Sequence, residues 1–171
     1  MKLLICGGYG FIGSSFIKNH LKNFPDDEII NIDNLTIGSN YLNLSEINNK
    51  NYFFVKEDIK NIDAIEKISV DVDIIVNFAA ETHVDRSIAN PKPFLETNVM
   101  GTYSLLEITR KFNKKFIHVS TDEIYGDAEN KLSFDENSQI CPSNPYAASK
   151  AAADNLVLSY HKTYGINFSG N

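Results

Sequence analysis

Apolar and polar positions along this chain fall into two alternating rhythms. Short apolar runs recur at Lys2-Leu3-Leu4-Ile5-Cys6, Glu28-Ile29-Ile30-Asn31-Ile32-Asp33, Tyr52-Phe53-Phe54-Val55, Val72 to Phe78 and Lys115 to Ser120. Each is short and bulky, and predicts a buried strand. Between them, apolar residues recur at helical spacing: residues 11–23, then Ile62, Ile65 and Ile68, then 93–112 behind Pro91 and Pro93, then 145–164. Pro25-Asp26-Asp27 breaks the chain before the second strand, and the Asn-rich stretch 34–50 reads as a loop with a short helix. Strand–helix alternation of this kind predicts an α/β fold, a doubly wound parallel sheet covered on both faces.

Gly7-Gly8-Tyr9-Gly10-Phe11-Ile12-Gly13 begins where the first run ends and leads straight into a helical pattern. A strand, a glycine turn and a helix together form a phosphate-binding element. Glycines allow close backbone approach, and the helix N-terminus turns N–H groups and partial positive charge toward anionic oxygens. Asp33 ends the second strand about 20 residues later, as the dinucleotide fingerprint expects. A carboxylate there accepts from ribose hydroxyls and repels a 2′-phosphate, which favours NAD over NADP. The alternative is a strand-end Asp that caps a turn. Ser14 needs no role beyond a helix start.

Composition narrows the class. The chain of 171 residues is 43% hydrophobic, enough for one domain (1–171) with a substantial core. A net charge of −6 disfavours nonspecific nucleic-acid binding. Cys6 on a predicted strand and Cys141 in a predicted loop lack zinc spacing and point to a reducing compartment. No apolar run approaches membrane-spanning length, and the N-terminal run goes directly into the glycine turn. The expectation is a cytoplasmic protein with neither membrane nor nucleic-acid partner. Leu105, Leu106 and Ile108 on one long helix, and Leu156, Val157 and Leu158 on another, are candidates to pack on each other or to form a homodimer. Ordinary packing on the sheet is the equal alternative.

Tyr146-Ala147-Ala148-Ser149-Lys150 sets a phenol and an ammonium at i and i+4, about 5–6 Å apart at Cβ on a helix. A nearby cation stabilises phenolate, so the expected tyrosine pKa is lowered and Tyr146 becomes a base for an alcohol proton. Tyr52 and Lys56 have the same spacing on a predicted strand, where it means roughly 13 Å; Tyr52 is read as structural. A surface helix pair is the bland reading of Tyr146 and Lys150. Ser120-Thr121-Asp122-Glu123 follows the fifth strand, and C-terminal strand ends line the ligand crevice of such sheets. A protonated acid beside an ionised base can drive elimination, while a turn-capping role is the alternative.

With these residues in view, the chain resembles the extended short-chain dehydrogenase/reductases. More narrowly it resembles the nucleotide-sugar 4,6-dehydratases, above all those acting on dTDP-glucose. The matching residues are Gly7 to Ser14, Asp33-Asn34-Leu35-Thr36, Asp58-Ile59, Phe78 to Ser87, Thr97-Asn98, Thr121-Asp122-Glu123, and Tyr146 with Lys150. The Asp-Glu pair is the specific element. The resemblance implies a Rossmann-type sheet and an NAD that is reduced and regenerated within one turnover. Gly7, Gly10, Phe11, Ile12, Gly13, Asp33, Asn34, Leu35, Thr36, Asp58, Ile59, Phe78, Ala79, Ala80, Thr97, Tyr146 and Lys150 would contact that cofactor. Thr82 and Thr121 would face the sugar.

The same resemblance implies the catalytic roles. Tyr146, assisted by Lys150 and Thr121, takes the C4 hydroxyl proton; Glu123 takes the C5 proton; Asp122 protonates the departing C6 hydroxyl. His83 and His118 need no catalytic role, and Asp85-Arg86 reads as a structural ion pair. The family normally continues well beyond this length, so the later strands and a substrate domain are expected to be absent. A sixth strand should begin within residues 164–171. The two readings are an enzyme, or the N-terminal part of one, and a catalytically incomplete NAD-binding module.

Overall fold

The computed structural model describes residues 1–128 and 133–170. Six strands, β1 (Lys2–Cys6), β2 (Glu28–Asp33), β3 (Tyr52–Lys56), β4 (Ile74–Asn77), β5 (Lys115–His118) and β6 (Asn167–Gly170), pair in parallel in the order 3-2-1-4-5-6. That is the Rossmann order, in which the direction of winding reverses between β1 and β4 and opens a crevice at their C-terminal ends. The sixth strand forms where the sequence placed it, pairing Lys115 with Asn167 through His118 with Gly170; Asn171 lies outside the described residues. β4 is shorter than the predicted run 72–78.

β1, β2 and β4 are buried on both faces because each face is covered, whereas the edge strands β3 and β6 are partly exposed. In β1, Leu4 and Cys6 join one core with Ile30, Ile32, Ile75, Phe116, Leu105 and Val157. Leu3 and Ile5 point the other way, into a second core with Ile17, Leu21, Ile29 and Val76. The helices α1 (Phe11–Asn23) and α2 (Ile62–Ser69) occupy opposite faces, as their core partners require. α1 buries Gly13, Ser14, Ile17 and Leu21, a single helical stripe.

Two features departed from expectation. A short helix, α3 (Val84–Ala89), was missed because only Ser87 of its six residues is buried and no apolar stripe marks it. The long helix expected over 93–112 runs as α4 (Lys92–Phe94), a π-helical stretch (Leu95–Gly101) and α5 (Thr102–Phe112). Last comes α6 (Pro145–Tyr164), which packs against α5, so Leu105, Leu106, Ile108 and Val157 are all buried. Among the described residues no helix is long and apolar enough to cross a membrane.

Candidate active site

The glycine turn is shaped by clashes that any larger residue would make. Gly7 has φ +79°, and a Cβ there would sit 2.6 Å from the Ala79 backbone nitrogen. At Gly13 a Cβ would sit 2.4 Å from the Gly7 carbonyl oxygen. The Gly8 N–H donates to Asn31 Oδ1 at 3.0 Å, and Asn31 Nδ2 donates to the Tyr52 hydroxyl at 3.0 Å. Sequence reasoning missed Asn31, although an amide inside an otherwise apolar strand was a legible signal. α1 starts at Gly10 with no side-chain cap and no acidic residue in its first turn, so its positive end is left to the crevice.

The crevice is a cavity of about 420 Å³. One wall is Gly7, Gly10, Phe11, Ile12 and Gly13; one end is Asp33, Asn34, Thr36, Asp58 and Ile59. The other end is Phe78, Ala79, Ala80, Thr82, Thr97, Tyr146 and Lys150. Leu35 is the exception among the expected cofactor contacts. It does not line the cavity, and its N–H donates to Asp33 Oδ1 at 2.8 Å. Asp33 also accepts from the Ser39 hydroxyl at 2.7 Å and the Tyr9 N–H at 2.9 Å. It therefore caps its turn and faces the cavity at once. A carboxylate has about four lone-pair directions, and three are taken. Asn34 Nδ2 donates to Asp58 Oδ2 at 2.9 Å, tying the ends of β2 and β3 together. Ile59 reaches the cavity because Gly101 makes room for it: a Cβ at Gly101 would meet Ile59 Cδ1 at 2.4 Å.

At the opposite end, α6 is started by Asn144 and Pro145. Asn144 Oδ1 accepts from the Ala147 N–H at 2.8 Å and Pro145 stands at the first turn. The same Asn144 donates through Nδ2 to Glu123 Oε2 at 3.1 Å. Thr121 caps the 3-10 turn Asp122–Tyr125, accepting from the Glu123 N–H at 3.3 Å. So one cap residue joins the helix bearing Tyr146 and Lys150 to the turn bearing Asp122 and Glu123. Thr121, Asp122 and Glu123 stand beside Tyr146 rather than in the cavity wall, and Asp122 is exposed.

The electrostatics overturn one expectation. The Tyr146 phenol is raised above its ordinary value, not lowered. Burial is the largest cause; a Thr121 hydrogen bond opposes it, and the Glu123, Asp122 and Asp154 carboxylates add to it. Lys150 is only 4% exposed, and burial pushes its ammonium down to about 8, with Asp154 pulling the other way. Its Nζ donates to the Val119 carbonyl at 2.7 Å.

The π-helical stretch brings Thr97 to the cavity and buries Asn98. Asn98 accepts from the Glu81 N–H at 2.8 Å and donates to the Glu81 carbonyl at 3.0 Å and Ser149 Oγ at 2.8 Å. π-turns recur at functional sites, but helical periodicity alone does not announce them. Arg86 pairs with Glu81 at 3.4 Å; an Asp85–Arg86 pair is not what forms. His83 precedes α3 without a side-chain cap, and His118 is buried on β5.

A profile of the GDP-mannose 4,6 dehydratase family matches residues 4–170. The chain belongs to that family of extended short-chain dehydrogenase/reductases. It is 43% identical to a dTDP-glucose 4,6-dehydratase of Salmonella typhimurium over 188 residues, covering 97% of this chain and 52% of that protein. With the Haemophilus influenzae protein of the same name the identity is 43% over 180 residues, covering 97% and 53%. A Streptomyces venezuelae dTDP-glucose 4,6-dehydratase solved with NAD bound superposes with a TM-score of 0.95 at 43% identity, covering 99% of this chain and 54% of that one. A Thermotoga maritima UDP-glucose 4-epimerase superposes with a TM-score of 0.89 at 28% identity, covering 99% and 54%. The chain spans about half the length of the curated relatives it matches.

Proposed function

We propose that this chain carries the NAD-binding and catalytic part of an enzyme that dehydrates a nucleotide-activated hexose, dTDP-glucose, to its 4-keto-6-deoxy product. The observation that carries this reading is the convergence of Tyr146, Lys150 and the Thr121-Asp122-Glu123 turn at one end of a dinucleotide-sized crevice. The residues present suit NAD. Gly7 and Gly13 leave room that a Cβ would fill, α1 offers an uncapped positive end, and Asp33 keeps a lone pair for a ribose hydroxyl. When bound, NAD supplies a temporary store for one hydride.

The chain's own residues do the rest. Tyr146 accepts the proton of the sugar C4 hydroxyl, with the Thr121 hydroxyl positioned against the phenol. The C4 ketone acidifies the C5 proton, which Glu123 takes, its second oxygen steadied by Asn144. Asp122 gives a proton to the departing C6 hydroxyl, which leaves as water. Ketone, alkene and saturated C6 follow in order; as C6 is saturated by the stored hydride, Glu123 hands its proton back to C5, and the net change is loss of one water. The raised phenol means that Tyr146 needs a neighbouring positive charge to act as base, and Lys150 supplies one while it is protonated. The Asp-Glu pair and the names of the matched relatives favour dTDP-glucose over other hexoses.

The test is incubation with dTDP-glucose and NAD, with the alkaline absorbance of a 4-keto product as the readout. Asp122→Asn together with Glu123→Gln lowers product formation at least about 100-fold, the scale of a lost general acid or base, while C4 oxidation, seen as NADH absorbance, persists in part. Equal loss of both steps removes the assigned roles. The second reading, an incomplete NAD-binding module, is favoured by the coverage of about half of each relative. It predicts NAD retention with no 4-keto product. The proposal includes a homodimer through residues 93–112 and 145–164, where Met100, Tyr103 and Leu158 remain exposed. Sedimentation equilibrium at micromolar concentration reads it as twice the chain mass.

A further inference from the structure

Beside Lys150 lies a half-buried carboxylate that the proposed chemistry does not use. Asp154 is one turn further along α6, on the same helix face as Lys150. Its Oδ2 accepts the Ser120 hydroxyl in a short hydrogen bond, and its Oδ1 stands 3.2 Å from His118 Nε2. We propose that Asp154 is a positioning residue of this site, clasping the end of β5 through Ser120, with His118 alongside, and supplying the counter-charge for the Lys150 ammonium.

Three consecutive residues of β5 and its exit are thus gripped by two side chains of α6. Lys150 holds the Val119 carbonyl; Asp154 holds Ser120 and faces His118. Thr121, Asp122 and Glu123 follow at once, so the strand end that delivers them is fixed from below. On the other side of the imidazole, Asn77 Nδ2 lies 3.4 Å from His118 Nδ1, and Asn77 Oδ1 is occupied by the Ala79 N–H. An amide N–H facing Nδ1 makes that nitrogen the acceptor, which leaves the ring proton on Nε2; Nε2 stands within ion-pair distance of Asp154 Oδ1 but makes no aligned hydrogen bond to it. His118 itself is lowered by burial and by the Lys150 charge, with Asp154 opposing.

The charge argument is separate. A buried ammonium without a partner is costly, and it neutralises instead. Among the described residues, Asp154 is the charged group that acts on Lys150 in a direction favouring its protonated form. The other charged and titratable groups around this cluster are Tyr146 on the same helix, His118 on β5, and Asp122 and Glu123 on the 3-10 turn. The consequence for catalysis rests on the reading proposed above; the clasp does not.

The test uses this chain without nucleotide or sugar, so its failure is distinct from failure of the dehydratase reading. Lysines labelled at Cε are titrated by NMR, with the Lys150 signal identified by its loss in Lys150→Arg. Asp154→Asn lowers the Lys150 midpoint from about 8 by about one unit or more, and Asp154→Glu returns it. A midpoint unchanged in Asp154→Asn overturns the counter-charge role. Ser120→Ala keeps the carboxylate and removes the grip, so it tests the clasp even if Asp154→Asn does not fold. It speeds hydrogen exchange at the Val119 and Glu123 amides about tenfold, with the Lys150 midpoint held. Unchanged exchange at both amides overturns the positioning role.

Discussion

At the residue scale, the site depends on a few atoms whose freedom is already spent. Gly7 combines a left-handed backbone with a wall of Ala79 backbone 2.6 Å from where a Cβ would go. Gly7→Ala costs roughly 1–2 kcal/mol from backbone conformation alone, and more from the clash. The expected outcome is a lowered urea midpoint and a loss of NAD affinity by calorimetry larger than the stability loss explains. Gly10→Ala is the contrast: its Cβ would meet only the Gly7 carbonyl at 3.3 Å, at φ −68°. That change is milder on both measures. The close approach at Gly7 and the placement of Asp33 on the cavity could be read from sequence because spacing and residue type express them directly. The raised phenol of Tyr146 could not, since it depends first on how deeply the fold buries the ring and then on which carboxylates arrive from residues 122, 123 and 154.

At the element scale, the π-helical stretch shows where pattern reading stops. The apolar residues of 93–112 fit one long helix, and the extra winding leaves no mark in them. Its reason is Asn98, whose buried amide joins the β4–α3 loop at Glu81 to α6 at Ser149. Asn98→Leu leaves the Glu81 N–H and carbonyl without that partner, at about 1–3 kcal/mol for each buried group so stranded. The measured consequence is a lower unfolding midpoint and faster exchange at the Glu81 amide. By contrast, β1, β2, α1 and α6 were legible to their ends, and β3 runs one residue past its expected end to Lys56. On α6 the punctuation is plain, because Asn144 and Gly165 cap its two ends. The short α3 was not legible, because its buried face is a single serine.

At the scale of the whole molecule, a parallel sheet covered on both faces could be anticipated from the strand–helix alternation, while the cross-links between its halves could not. One of those links sets a pH response. His118 sits below its ordinary 6.5 in the folded chain, chiefly through burial. As pH falls past 6.5 the unfolded chain takes up a proton that the native chain refuses, so stability drops through that window. Above 6.5 the contribution is constant. Urea midpoints at pH 7.5 and 5.5 measure the slope, and His118→Gln flattens it.

The Tyr52–Asn31–Gly8 chain of hydrogen bonds carries a further consequence. Tyr52 belongs to an edge strand, β3, across β2 from the glycine turn, and is not among the residues lining the crevice. Its hydroxyl nevertheless orients the amide that grips Gly8. Removing that single oxygen, as in Tyr52→Phe, frees Asn31 to rotate and slackens the loop where pyrophosphate would rest. A rim strand so placed acts as a remote tuning peg for the glycine turn.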